Sequence, residues 1–233
     1  MEGRDPVTLS PMRLAIGRRM AHSKKSAPHF YVSADLDMTI VLGALAQRNA
    51  GRSGSDHVTL TAYLLKALAT TLVAHPAFNA VWIDDQLFQV HAINIGVAIA
   101  LDDGLIAPAL LDCKGRSVND LARLLQDVTA RARTGRLRAP EVNDATFTLS
   151  NLGMHRVSSF TAIITPPQVA ILATGRTEPR AVVINDAVAV RPMMTATISA
   201  DHRAVDGASA ARFLADFRAN LDFAPTGKAD RDV

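Results

Sequence analysis

The sequence predicts a single α/β domain, a two-layer sandwich in which helices cover a mixed sheet. Three observations carry this reading. A chain of 233 residues suits one large domain and can bury most of its unfolded surface without covalent staples. Its 48% hydrophobic and 20% charged residues match an ordinary globular chain and exclude disorder as a global description. Helical and alternating patterns follow one another without regular βαβ alternation, and no repeat or linker divides them, which favours a mixed sheet in one domain.

The elements follow in chain order. Ser10 caps a helix to Lys25, with Pro11 at its first position and Met12, Ile16 and Met20 at helical spacing. Pro28 breaks the pattern, and His29 to Asp37 alternates as a strand. Thr39 to Asn49 reads as a helix, and Gly51 to Asp56 as a polar loop. Thr59 to Ala74 is apolar on most faces, hence a buried helix that stops before Pro76. Strands at Ala80 to Ile83 and Leu87 to Val90 flank Asp84-Asp85, a hairpin signal. Ile93 to Leu101 and Leu105 to Leu110 are β-type runs separated by Asp102, Asp103 and Gly104. Ser117 caps a helix from Val118 to Arg133 whose buried stripe is Leu121, Leu124, Leu125 and Val128. Thr146 to Ser150, Gln168 to Thr174, Ala181 to Ile184 and Pro192 to Ala200 read as strands, and Val205 to Leu221 as a final amphipathic helix.

Composition excludes several function classes. The 25 Lys and Arg against 22 Asp and Glu leave a net charge of +3, a weak field that suits an anionic partner such as a phosphorylated cofactor or an acidic carrier protein. Aromatics at 5% are too few for a single-strand stacking platform, and no nucleic-acid motif is present. Cys113 is the one cysteine, so the chain forms neither an intrachain disulfide nor a multi-cysteine metal site, and a reducing cytoplasm suits it. It reads as a small buried or loop residue rather than a nucleophile. No metal-ligand spacing or nucleotide loop occurs. Met1 to Pro11 has no apolar signal core, and Val58 to Ala74 is too short and too interrupted for a membrane span.

Two segments concentrate chemistry. In Ser199-Ala200-Asp201-His202-Arg203-Ala204-Val205-Asp206-Gly207 a strand ends, a charged turn follows and a helix begins. His202 is suited to take and return a proton near neutral pH, and Asp206 can orient the turn or offset an imidazolium charge. On spacing alone a structural or surface role for this histidine stands beside the catalytic one. In Thr146-Phe147-Thr148-Leu149-Ser150-Asn151-Leu152-Gly153 a strand delivers Ser150 into a turn. Ser150 fits a nucleophile, an oxyanion donor or a turn former. There is no Gly-x-Ser-x-Gly elbow around it, which speaks against a hydrolase nucleophile.

Seven ordered segments then carry a resemblance: Leu9-Ser10 through Arg19-Met20 with Ser23; Pro28-His29-Phe30-Tyr31; Asn94-Ile95-Gly96-Val97-Ala98; Gly104-Leu105-Ile106 with Pro108; Phe147 through Gly153; Pro166-Pro167-Gln168 with Ala170-Ile171-Leu172; and Asp201-His202-Arg203 with Asp206-Gly207-Ala208. Together they resemble the catalytic domain of dihydrolipoamide acyltransferases, the acyltransferase component of 2-oxoacid dehydrogenase complexes, with the serine segment most similar to the pyruvate-type branch. The His-x-x-x-Asp-Gly element alone is shared with chloramphenicol acetyltransferases and carrier-protein condensation domains; the seven in order are far more specific.

The resemblance implies a chloramphenicol-acetyltransferase-like fold and a homotrimer with active sites between subunits. It implies acyl transfer between a dihydrolipoyl thiol and coenzyme A, with His202 as general base and Ser150, from the neighbouring subunit, donating to the oxyanion. Asp206 is expected to hold the turn, by pairing with an arginine such as Arg13 or Arg18. Phe30, Gly104, Leu105 and Asn151 are expected to contact substrate or coenzyme A. Coenzyme A enters as a substrate, the lipoyl group comes in trans, and no metal is implied. The implied partners are further copies of the chain, a lipoyl-domain or other acyl-carrier protein, and other oxoacid dehydrogenase components.

The sequence departs from the family in three ways. Residues 1–233 show no lipoyl and no peripheral-subunit-binding segment. Thr226 to Val233 is charged where relatives commonly end in an apolar tail that joins trimers, which predicts an isolated trimer of about 75 kDa. Met154-His155-Arg156 and Thr165 replace commoner residues, so His155 is either a second titratable group near the channel or a tolerated loop substitution. Ala107 and Ala109 hint at a roomy acyl pocket. Two other functions stand beside the leading one: a stand-alone acyltransferase using another carrier or a small-molecule acceptor, and a non-catalytic structural homologue, against which the intact His202, Asp206 and Ser150 argue.

Overall fold

The computed structural model describes residues 3, 5, 7–52, 54, 57–101 and 104–223. The charged tail 226–233 and the Asp102-Asp103 turn lie outside the described residues. Helix α1 (Pro11–Ser26) starts as its capping signal predicts: the Ser10 hydroxyl accepts the Arg13 N–H at 3.2 Å. Strand β1 (His29–Asp37), helix α2 (Thr39–Asn49) and helix α3 (Leu60–Ala74) follow. Strands β2 (Ala80–Ile83) and β3 (Gln86–Gln89) form a separate hairpin. Its two turn residues, Asp84 and Asp85, sit at φ 49° and 59°, the left-handed pair that a two-residue hairpin turn requires.

The expected single strands on either side of residue 103 are each divided. Ile93 to Leu101 splits into β4 (Ile95–Val97) and β5 (Ile99–Leu101), and the next run splits into β6 (Gly104–Ile106) and β7 (Ala109–Leu110). β4 and β7 belong to the main sheet, whereas β5 and β6 pair only with each other as a small hairpin. Pro108, which has no N–H to donate, separates β6 from β7. Gly104, expected in the turn, opens β6 instead.

Helix α4 (Val118–Arg133) is capped by Ser117 as expected, its hydroxyl accepting the Asp120 N–H at 3.2 Å. The short helix α5 (Ala139–Asn143) has no counterpart among the expected elements. It places buried Glu141 between Arg131 and Arg138, whose hydrogen bonds pull the carboxyl down to about 2. Strands β8 (Phe147–Asn151), β9 (Ala170–Thr174), β10 (Glu178–Ile184) and β11 (Ala187–Asp201) and helix α6 (Gly207–Phe223) complete the chain. β11 begins five residues before the expected Pro192 because it pairs with β10 across the left-handed Asn185-Asp186 turn.

The main sheet has seven strands, in the order β1-β11-β9-β8-β4-β7, with β10 extending β11. β8 runs parallel to β4 and β9, while β1, β7 and β9 pair antiparallel with their other neighbours. The sheet is therefore mixed, as predicted. Helix α3 packs against α4 and α6, and α6 lies along β1 and β11. Alternation along the central strands then sorts the two faces. Phe147, Leu149, Leu172, Ala196 and Ile198 join the core with Leu64, Leu68, Phe213 and Phe217 from the helices. The intervening Thr148, Ser150, Thr197 and Ser199 are also buried, but they present small polar groups to the opposite face.

Cys113 is fully buried, and its thiol donates to the Leu110 carbonyl at 3.2 Å. Burial pushes the thiol up to about 11. The residue is thus a core filler. A thiol-reactive dye at pH 8 is expected to leave the folded protein unlabelled and to label one thiol per chain in denaturant. Prompt labelling of the folded chain would contradict the buried, protonated thiol.

Candidate active site

Ser150 is the fourth residue of β8. The alternation that buries Phe147 and Leu149 under α6 turns Thr148 and Ser150 to the other face. Two cavities lie there. The first, about 630 Å³, is walled by α4, the Thr59 and Thr61 region and the turn after β8, including Asn151, Met154 and His155. The second, about 690 Å³, is walled by α1, the β6–β7 segment, Thr148 and residues 162–168. Ser150 lines both, at 8% exposure. Both sets of walls are largely apolar, so a polar group delivered to Ser150 meets few competitors for its hydrogen bond.

Asn151 organises the turn after Ser150. Its carboxamide oxygen accepts the Gly153 N–H at 2.8 Å, and its nitrogen donates to the Thr61 hydroxyl at 3.3 Å. A Cβ at Gly153 would lie 3.1 Å from that oxygen and 3.2 Å from the Gly175 carbonyl, which is why glycine fits. The turn carries His155 onto the wall of the first cavity, which Ser150 and Arg133 also line. Thr148 donates to Gln168 at 2.6 Å behind the serine, tying β8 to the 162–168 segment.

His202 sits where β11 ends. Its backbone N–H donates to the Pro28 carbonyl at 3.0 Å, and its exposed ring meets the Phe30 ring with centroids 4.8 Å apart. The turn is clamped by its neighbours. Buried Asp201 accepts the Arg203 backbone N–H at 3.0 Å and the Arg203 guanidinium at 2.7 Å, while that guanidinium stacks 4.1 Å from the Trp82 ring centre. The Asp201 carboxylate in turn raises the Arg203 pKa. This Asp201–Arg203–Trp82 clamp was not assigned from sequence. The motif places the first two side by side, but nothing in the chain order brings Trp82 to them.

Asp206 holds the same turn by a different route from the one expected. It caps α6: its carboxylate accepts the Ser209 N–H at 2.7 Å, and its carbonyl accepts the Ala210 N–H at 3.0 Å. The hydrogen bonds from Ser209 hold its carboxyl below the usual range, with smaller contributions from the charges of Arg212 and His202. The expected pairing with Arg13 or Arg18 is replaced, within the chain, by this cap. The cap also sets the start of α6 at Gly207 rather than Val205.

The remaining candidate residues take different places. Leu105 lines both cavities and Asn151 the first. Gly104 is not a wall residue; it backs onto α1, where a Cβ would lie 3.1 Å from Ile16 Cδ1. Phe30 packs against the His202 ring and lines neither of these two cavities. Ala107 lines the second cavity as anticipated, but Ala109 is buried in β7 opposite Gly96 and gives the cavities no room.

One chain does not bring Ser150 and His202 together. Ser150 pairs with Ala173 in β9, and Ala173 pairs with Thr197 in β11. His202 lies five residues beyond Thr197. At about 3.3 Å per residue along a strand and about 4.8 Å between strands, the two sites are roughly 15–20 Å apart. A hydrogen-bonded pair needs about 3 Å, so within one chain these two residues do not meet.

Comparison with known proteins gives the chain a family. The model for the 2-oxoacid dehydrogenases acyltransferase catalytic domain matches residues 2–226. The dihydrolipoyllysine-residue acetyltransferase component of the Zymomonas mobilis pyruvate dehydrogenase complex is 37% identical over 213 residues, which is 91% of this chain and 48% of that protein. The mitochondrial Schizosaccharomyces pombe counterpart is 37% identical over 223 residues, covering 94% of this chain and 46% of that protein. The chain thus spans about half the length of these curated relatives. Among solved structures, a probable dihydrolipoamide acetyltransferase from Listeria monocytogenes superposes with TM-score 0.88 at 31% identity, covering 96% of this chain and 97% of that one. The Azotobacter vinelandii dihydrolipoamide acetyltransferase, TM-score 0.88 at 27% identity over 94% of this chain and 91% of that one, was solved to test the catalytic roles of a serine, a histidine and an asparagine. A chloramphenicol acetyltransferase at TM-score 0.54 and 15% identity, covering 89% of this chain and 93% of that one, shares the fold. The chain belongs to the 2-oxoacid dehydrogenase acyltransferase family.

Proposed function

We propose that this domain transfers an acyl group between a dihydrolipoyl thiol and coenzyme A, at sites formed where two copies of the chain meet. The observation that carries the reading is the position of Ser150 at the junction of two cavities, far from the chain's own His202. Two cavities meeting at one donor suit two long thiol arms that approach from opposite sides. The missing base is then the His202 of a neighbouring copy.

The steps balance without a covalent enzyme intermediate. His202 takes the proton from the attacking thiol. The thiolate adds to the thioester carbonyl carbon, and the resulting oxyanion accepts a hydrogen bond from Ser150, worth about 3 kcal/mol in such sites. The tetrahedral intermediate collapses, expels the second thiolate, and His202 returns the proton to that sulfur. Holding both thiols in one channel removes much of the entropic barrier of a bimolecular reaction. Coenzyme A is a substrate here, and the dihydrolipoyl group is brought by a lipoyl-domain or other acyl-carrier partner. Other oxoacid dehydrogenase components are partners on the strength of what the relatives' complexes contain. A reducing cytoplasm belongs to the same proposal, on a sequence with one cysteine and so no intrachain disulfide.

The test is acetyl transfer from acetyl-CoA to free dihydrolipoamide, with light scattering on the same sample. Turnover above the uncatalysed rate is expected from a particle of about 75 kDa, three chains of 24.9 kDa each. A folded monomer, or no turnover, would overturn the reading, and a particle many trimers in size would overturn the isolated trimer.

A further inference from the structure

Ala98, Leu105 and Ser150 are the wall residues common to both cavities. Ala98 is fixed beside Ser150, because its backbone N–H donates at 3.0 Å to the carbonyl of Leu149. Leu105 reaches the junction from the β5–β6 hairpin, where it pairs with Ala100. That hairpin stands apart from the seven-stranded sheet and rests on α1 through Gly104 and Ile16. Leu105 remains 48% exposed, so an isobutyl group projects at the junction instead of packing in the core.

We infer that Ala98 and Leu105 form a size filter for the acyl group, an inference that rests on the acyl-transfer reading. A carbonyl oxygen bonded to the Ser150 hydroxyl must lie within about 3 Å of it. The carbons beyond that carbonyl then extend along the walls that flank Ser150. On one side is the methyl of Ala98, which leaves space. On the other is the isobutyl of Leu105, which takes space up. The pair admits a short, unbranched acyl chain and crowds a longer one. Because Ala98 directly follows β4, which is hydrogen-bonded into the main sheet, and its own N–H is tied to Leu149, that wall gives little. The hairpin wall is set by side-chain size.

The experiment compares acetyl-CoA, propionyl-CoA and butyryl-CoA as donors to dihydrolipoamide in Leu105→Ala, Ala98→Val and unsubstituted protein. One methylene in an apolar pocket is worth about tenfold or more in kcat/KM. Leu105→Ala is expected to raise the butyryl-to-acetyl ratio about tenfold. Ala98→Val is expected to lower the propionyl-to-acetyl ratio by a similar factor. A purely structural role moves all donors together and leaves the ratios alone. Leu105 is half exposed, so its truncation keeps a readable, folded protein even where the added methyls at position 98 disturb packing. Ratios unchanged within about twofold in a protein that transfers acetyl overturn the filter. Absence of acetyl transfer in the unsubstituted protein overturns the underlying reading and the filter with it.

Discussion

Replacing His202 with alanine is expected to lower kcat about 10³-fold while leaving the thermal midpoint nearly unchanged. The size follows from the usual worth of a positioned general base, about 10²–10⁴ in rate. The selectivity follows from the surroundings. The His202 ring is exposed and packs on Phe30. The turn's shape is held by groups that the substitution leaves intact: the His202 N–H to Pro28, Asp201 with Arg203, and the Asp206 cap. Arg203→Ala gives the contrasting result. It strips the buried Asp201 carboxylate of its partner and should lower the thermal midpoint by several degrees, since an orphaned buried charge costs about 3 kcal/mol. If His202→Ala unfolded the protein, or kept normal turnover when folded, the catalytic assignment would fail. Activity recovered with added imidazole would support it further.

Much of this site was legible in the sequence, and the illegible part has a physical cause. Helices α1, α3 and α4 announced themselves through Ser10, Pro76 and Ser117, because caps and breakers act over three or four residues. The strand of Ser150 was legible for the same local reason, as Phe147 and Leu149 alternate with Thr148 and Ser150. The split of the 93–101 run was not. Its residues are apolar on both sides of the break, since β4 is buried in the sheet while β5 and β6 leave it to wall the cavities. Ala109 misled by size: a small residue is as useful opposite Gly96 in a tight sheet as on a pocket wall. Trp82 and Asp201–Arg203 are brought together by tertiary packing alone. The meeting of Ser150 and His202 proposed above leaves no sign in the residue pattern of one chain; only the resemblance suggests it, because it requires a second chain.

That second chain makes a sharp prediction. Ser150→Ala is expected to lower kcat about 10²–10³-fold, the loss that follows removal of one oxyanion donor. Combined with His202→Ala in separate chains, the two inactive variants should rescue each other. In a mixed oligomer, a site is intact when its serine comes from the His202→Ala chain and its histidine from the Ser150→Ala chain. Random assembly of equal amounts makes about one site in four intact in a cyclic oligomer. Activity should therefore rise from about 1% or less for either parent to about a quarter of the unsubstituted level. Exchange requires mixing under mild denaturation or co-expression, with mass spectrometry of intact particles to establish that mixed species form. A control mixture of the doubly substituted chain with the His202→Ala chain must stay inactive, because it contains no histidine base. If verified mixed particles remained as inactive as their parents, Ser150 and His202 would have to act in the same chain. The register of β8, β9 and β11 holds them roughly 15–20 Å apart there, so that outcome would demand a rearrangement of the central sheet itself.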